Sequence, residues 1–156
     1  MVILNIAGFG EIKLEIDEEQ APVTAANFIK LVNEGFYDGL IFHRVIENFM
    51  IQGGDPTGTG MGGSSQTITG EFGSNGHPNS ISHKRGVISM ARSSSPNSAS
   101  SQFFIVHKDA PHLDDQYAAF GRVTEGIDIV DRIAAVKTGA NDKPAEDIVI
   151  EKAWTE

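Results

Sequence analysis

The sequence predicts a mainly β fold, a closed or nearly closed barrel of eight short strands capped by two helices. Three observations carry that expectation: eight short β-patterned runs, two segments of helical periodicity, and a 156-residue length that fits one domain, residues 1–156.

The elements follow in chain order. Residues 2–7 are apolar, Gly8, Phe9 and Gly10 supply a turn, and residues 11–16 alternate Ile12, Leu14 and Ile16 against Glu11, Lys13 and Glu15. This is a hairpin with one buried and one wet face. Pro22 suits a first helical position, and Ala25, Phe28, Ile29 and Val32 recur at helical spacing before Gly35 ends the helix. Further strands are expected at 40–46, 49–52, 87–91, 102–106, 118–123 and 148–154. A second helix is expected at 127–136, where Ile129, Val130, Ile133 and Ala134 share a face.

Residues 53–80 hold nine of the 17 glycines and no periodic hydrophobicity. A loop this long in a small domain is usually functional or disordered. Its G-T-G-M-G-G run, Gly58 to Gly63, is not followed by Lys-Ser/Thr or by a helix, so nucleotide binding is not expected. The serine-rich stretch 93–101 lies between two apolar strands and reads as a surface loop.

Composition narrows the function. Cysteine is absent, which removes disulfides, thiolate nucleophiles and cysteine metal sites. Twelve Lys and Arg against 21 Asp and Glu give a net charge of -9, which disfavours nucleic acid and acidic membranes as partners. The N-terminal apolar run is short and lacks a basic flank; it is expected to be a strand, not a signal peptide. With no apolar run long enough to span a bilayer, a soluble, cytoplasmic protein is expected.

The segment 42–55, F-H-R-V-I-E-N-F-M-I-Q-G-G-D, stands out. On a strand Phe42, Arg44 and Ile46 share one face and His43 and Val45 the other, so a guanidinium would project among apolar neighbours. Two readings stay open on these residues: a salt-bridged arginine at a barrel rim above ordinary core, or a binding site. The five histidines form no metal-ligand pattern, and His107 and His112 read as structural loop residues. No G-x-S-x-G elbow presents a serine. What remains is Arg44 with Gln52 and Gln102 among aromatics, a set that can bind and polarise but not cleave.

The run 42–55, the glycines Gly60, Gly62 and Gly63, G-V-I-S-M-A at 86–91, S-Q-F-F-I at 101–105 and F-G-R-V at 120–123 together resemble the cyclophilins, collinearly over nearly the whole chain. The resemblance implies a closed eight-stranded antiparallel barrel capped by two helices, and peptidyl-prolyl cis-trans isomerase activity on proline-containing peptides and flexible protein segments, as a monomer without cofactor or metal. It makes Arg44 the catalytic arginine and Phe49, Met50, Phe104 and Leu113 the walls of a proline pocket. Gln52 would orient the substrate backbone; Ala91, Arg92 and Gln102 would line the groove for residues preceding proline, with Gly60 beside it.

The chain departs from eukaryotic relatives at the rim. His112 stands where a tryptophan is common before the leucine, Tyr117 where a histidine is common and Arg92 where an asparagine is common; the loop around 93–96 is one residue longer. Weaker binding of cyclosporin is expected from the missing indole. A non-catalytic proline-peptide binder and a ligand-carrying barrel with an apolar cavity are the competing readings, the second disfavoured by abundant large apolar strand residues.

Overall fold

The computed structural model describes residues 1–156. Eight antiparallel strands form one curled sheet: β1 Val2–Ile6, β2 Gly10–Ile16, β3 Arg44–Ile46, β4 Met50–Gly53, β5 Val87–Met90, β6 Phe103–Val106, β7 Ala119–Glu125 and β8 Ile150–Thr155. Their order is β3-β4-β6-β5-β7-β2-β1-β8. The sheet therefore has two edge strands, β3 and β8. Between these edges the ladder is not continuous: an isolated Ile41↔Val149 bridge joins them, flanked by backbone bonds from Phe42 N–H to Ile148 and from Ile150 N–H to Leu40.

The opening hairpin forms with register Val2↔Leu14 to Ile6↔Gly10. The long strand expected at 40–46 shortens to β3, with only Ile41 bridging before it. This corrects the facing of its side chains. Phe42 and Val45 both enter the main core, an odd spacing that a continuous strand cannot produce, because the chain leaves extended pairing between Ile41 and Arg44. Phe42 therefore does not share a face with Arg44.

Helix α1, Pro22–Asn33, buries Ala25, Phe28, Leu31 and Val32, with Ile29 only half-buried. Its cap residue Ala21 offers no side-chain hydrogen bond, and a distant carboxylate supplies one. The buried Glu71 accepts from Thr24 N–H at 2.6 Å, Thr24 Oγ1 at 2.7 Å and Val23 N–H at 3.3 Å. Helix α2, Ile127–Ala134, enters through Gly126 at φ 94° and buries Ile129, Val130, Ile133 and Ala134.

A main core of 28 buried residues fills the inside of the curl, with Phe28 packed on Tyr37, Phe103 and Phe120. A second cluster of seven, including Met50, Phe104, Val106 and Leu113, lies on the outer face of β4 and β6. This explains the uninterrupted F-F-I-V of β6. Phe103 and Ile105 face the main core while Phe104 and Val106 face the second cluster.

Candidate active site

The outer cluster is the floor of the site. Arg44 and Gln52 are cross-strand partners on β3 and β4, and Gln52 pairs onward with Phe104 on β6. Arg44 Nη1 donates to Gln52 Oε1 at 3.3 Å, and Gln52 Nε2 donates to Gln102 Oε1 at 2.9 Å. Gln102 Nε2 then donates to the carbonyls of Gly60 and Gly62 at 3.0 and 2.7 Å. Each amide orientation is forced, since arginine only donates and carbonyls only accept. Arg44 is exposed, and Gln52 is its one side-chain partner, so other guanidinium N–H groups are free for a ligand. The salt-bridged alternative is set aside: none of the five ion pairs includes Arg44.

Beside the guanidinium opens a cavity of about 110 Å³, walled by Phe49, Met50, Phe104, Leu113 and Tyr117 and bordered by Gln52, Ala91 and Arg92. It continues into a polar cavity of about 260 Å³, where Gly60, Gln102, Ala91 and Arg92 are joined by Met61, Gly62, Ser98 and Ser100. The candidate residues thus converge on one groove, with a single exception. His112 lies outside both cavities, its ring 5.6 Å from that of Phe49. Arg92 borders both, but its guanidinium is turned away into a clamp between Phe72 and Tyr117.

Beneath Phe104, His83 connects Asp114 at 2.9 Å to Ser89 Oγ at 2.9 Å. The arrangement resembles a hydrolytic triad in its contacts alone, because Ser89 is 0% and His83 1% exposed. No substrate reaches them. The His83 ring stacks at 18° beneath Phe104 and acts as pocket support. Burial lowers the His83 pKa against the opposing pull of Asp114. No three His, Asp or Glu side chains gather to hold a metal ion.

Sequence reasoning missed Asp55. It is 1% exposed and accepts backbone N–H bonds from Thr57 and Gly60 at 2.8 and 2.7 Å. The signal was present in D-P-T-G, an Asp followed two residues on by Thr, the pattern of a side-chain-closed turn. Burial alone would raise its carboxyl, but the N–H groups of Thr57, Gly62 and Gly60 hold it well below the usual carboxylate range.

The family model for the cyclophilin-type peptidyl-prolyl cis-trans isomerases matches residues 1–155. The chain belongs to the cyclophilins. This cyclophilin is 46% identical over 145 residues to the Schizosaccharomyces pombe peptidyl-prolyl cis-trans isomerase ppi1, covering 92% of each chain. It is 46% identical over 140 residues to an Arabidopsis thaliana peptidyl-prolyl cis-trans isomerase, covering 89% of this chain and 86% of that one. A longer Streptococcus pyogenes protein, whose name joins a phosphatase to a peptidyl-prolyl cis-trans isomerase, is 42% identical over 171 residues; the match covers 91% of this chain and 36% of that protein. Among solved structures, a Cryptosporidium parvum cyclophilin-type isomerase studied in the presence of the dipeptide Ala-Pro superposes with a TM-score of 0.91 at 34% identity, covering 99% of this chain and 98% of that one. The cyclophilin is thus a peptidyl-prolyl cis-trans isomerase with the family's mainly β fold of eight antiparallel strands and two helices.

Proposed function

We propose that this cyclophilin seats a proline ring against Phe49, Met50, Phe104 and Leu113 while Arg44 hydrogen-bonds the prolyl nitrogen as the X–Pro bond twists. The observation that carries this reading is a guanidinium tethered through Gln52 at the rim of an apolar cavity of about 110 Å³. The planar bond resists rotation by about 18–20 kcal/mol because the nitrogen lone pair is conjugated with the carbonyl. Twisting localises that lone pair on nitrogen. A donor aimed there binds the twisted state better than either planar state, and each 1.4 kcal/mol or so of that preference is worth tenfold in rate. No nucleophile or tuned acid is needed.

Substrates are proline-containing peptides and flexible segments; the Ala-Pro dipeptide of the Cryptosporidium parvum study supports that class. Residues preceding proline lie along Ala91, Gln102 and Gly60. We further propose a single-domain, monomeric, cytoplasmic enzyme, and weak cyclosporin binding because His112 offers no indole. The test is X–Pro peptide exchange followed by NMR for wild type and Arg44→Ala. A loss on the order of a hundredfold is expected; an unchanged rate removes Arg44 from the mechanism. A wild type that binds the peptide without accelerating exchange would make the groove a recognition site only.

A further inference from the structure

We propose that Asp55 is a positioning residue for Arg44, acting through the glycine-rich loop 55–63 and the two glutamines; this rests on the reading of Arg44 as the catalytic donor. The hydrogen bonds that begin at Arg44 run in one direction, through Gln52 and Gln102, to the carbonyls of Gly60 and Gly62. Those carbonyls belong to an exposed loop with few apolar side chains to fix it, and Asp55 supplies the anchor. Its Oδ1 accepts from Thr57 N–H at 2.8 Å, and its Oδ2 accepts from the N–H groups of Thr59, Gly60 and Gly62 at 3.2, 2.7 and 3.0 Å. Four backbone donors thus converge on one buried carboxylate, and the loop folds around it.

The loop is also packed closely where it lies. A Cβ at Gly62 would overlap Asp55 Oδ1, and one at Gly63 would overlap Ser100 Oγ, so the backbone is pressed between its anchor and the segment that carries Gln102. The consequence is mechanical. If the carboxylate no longer draws in the Gly60 and Gly62 N–H groups, the carbonyls of the same residues shift, Gln102 loses its acceptors, and Gln52 is released from one side. Arg44 then keeps its charge and its place on β3 but loses the constraint that aims it.

Asp55→Asn tests this with little change of shape. An amide still accepts from Thr57, but its NH₂ meets the N–H groups of Gly60 and Gly62, donor against donor. In X–Pro exchange, kcat of the folded variant is expected to fall on the order of tenfold to a hundredfold, with a smaller change in KM. The side-chain amide NMR signals of Gln52 and Gln102 are expected to shift toward those of solvated glutamine. The Asp55→Asn effect is expected to disappear in an Arg44→Ala background, read at enzyme concentrations high enough to measure the residual rate.

Unchanged kcat in folded Asp55→Asn overturns the proposal, as does an equal loss in the Arg44→Ala background, which would mean that Asp55 acts by another route. An Arg44→Ala enzyme with full kcat overturns the reading of Arg44 itself, a separate outcome. Should Asp55→Asn fail to fold, Gln102→Leu cuts the same chain without touching the anchor. It is expected to lower kcat and to be non-additive with Arg44→Ala; unchanged kcat overturns the proposal.

Discussion

Replacing Arg92 with alanine tests whether this arginine is a clamp or a substrate ligand. Its Cζ lies 5.0 Å from the centre of the Phe72 ring and 4.8 Å from that of Tyr117, a guanidinium between two aromatic faces. Nε and Nη2 donate to the Gln116 carbonyl at 3.0 and 2.7 Å, and Nη1 donates to the Ser93 carbonyl at 2.9 Å. Each cation–π contact contributes about 0.5–1 kcal/mol at a half-exposed site. The carbonyls can turn to water once freed, so their hydrogen bonds together add no more than about 1 kcal/mol. The expected loss is about 2 kcal/mol, or about 4–8 °C in Tm for a protein of this size, read by urea and thermal unfolding. Tyr117 packs edge-on against Phe104 at 5.8 Å, so a freed Tyr117 loosens a wall of the apolar cavity and raises KM. Arg92→Lys is not expected to rescue, because an ammonium has no planar face to stack. A stability change below about 0.5 kcal/mol, or full rescue by lysine, would refute the clamp.

Glu71→Ala removes the only side-chain cap of α1 and orphans the buried N–H and hydroxyl of Thr24 and the part-buried N–H of Val23; a loss of about 2–3 kcal/mol is expected in urea unfolding, and a change under about 1 kcal/mol would show that water replaces the cap. Burial lowers the pKa of His83 against Asp114, and of His43 against Asp55, with Arg44 and Lys143 lowering His43 further. Because the unfolded histidines take up protons first, stability is expected to be full above about pH 6.5 and to fall as pH drops through that value. A second loss follows below about pH 4, where the unfolded forms of Asp55 and Asp114, whose folded pKa values are depressed, become protonated. A urea midpoint that stays flat from pH 8 to 5 would contradict the histidine part. His112→Trp is expected to tighten cyclosporin in a calorimetric titration, and no change would remove His112 as a determinant of cyclosporin affinity.

Local pattern was enough for much of the fold. Alternation in Glu11 to Ile16 and the period of α2 each arise from one element meeting one core, so they are readable along the chain. The closure of the sheet was not readable in that way, since whether Ile41 bridges Val149 is decided by partners more than a hundred residues apart. The same limit explains the error at Phe42. Period-2 reasoning assumes that the strand has already begun, and residues 42–43 carry strand-like chemistry while the backbone bends to send both Phe42 and Val45 inward.

The site divides along the same line. Arg44, Gln52 and Phe104 were legible together because they occupy one face of three paired strands, where register turns a one-dimensional pattern into neighbours. Asp55 was not, and Arg92 was legible as a groove residue but not as a clamp, because both make these contacts from loops. An aspartate that gathers backbone N–H groups and an arginine that slips between Phe72 and Tyr117 leave no period behind them. On the proposed reading this is a physical division of labour: strand residues Arg44, Gln52 and Phe104 would meet the proline, while the loop-borne charges of Asp55 and Arg92 would hold the donor and one wall in place. Substrate preference among relatives with the same strand residues should therefore follow changes at loop positions such as Met61 and Arg92, which border the polar cavity.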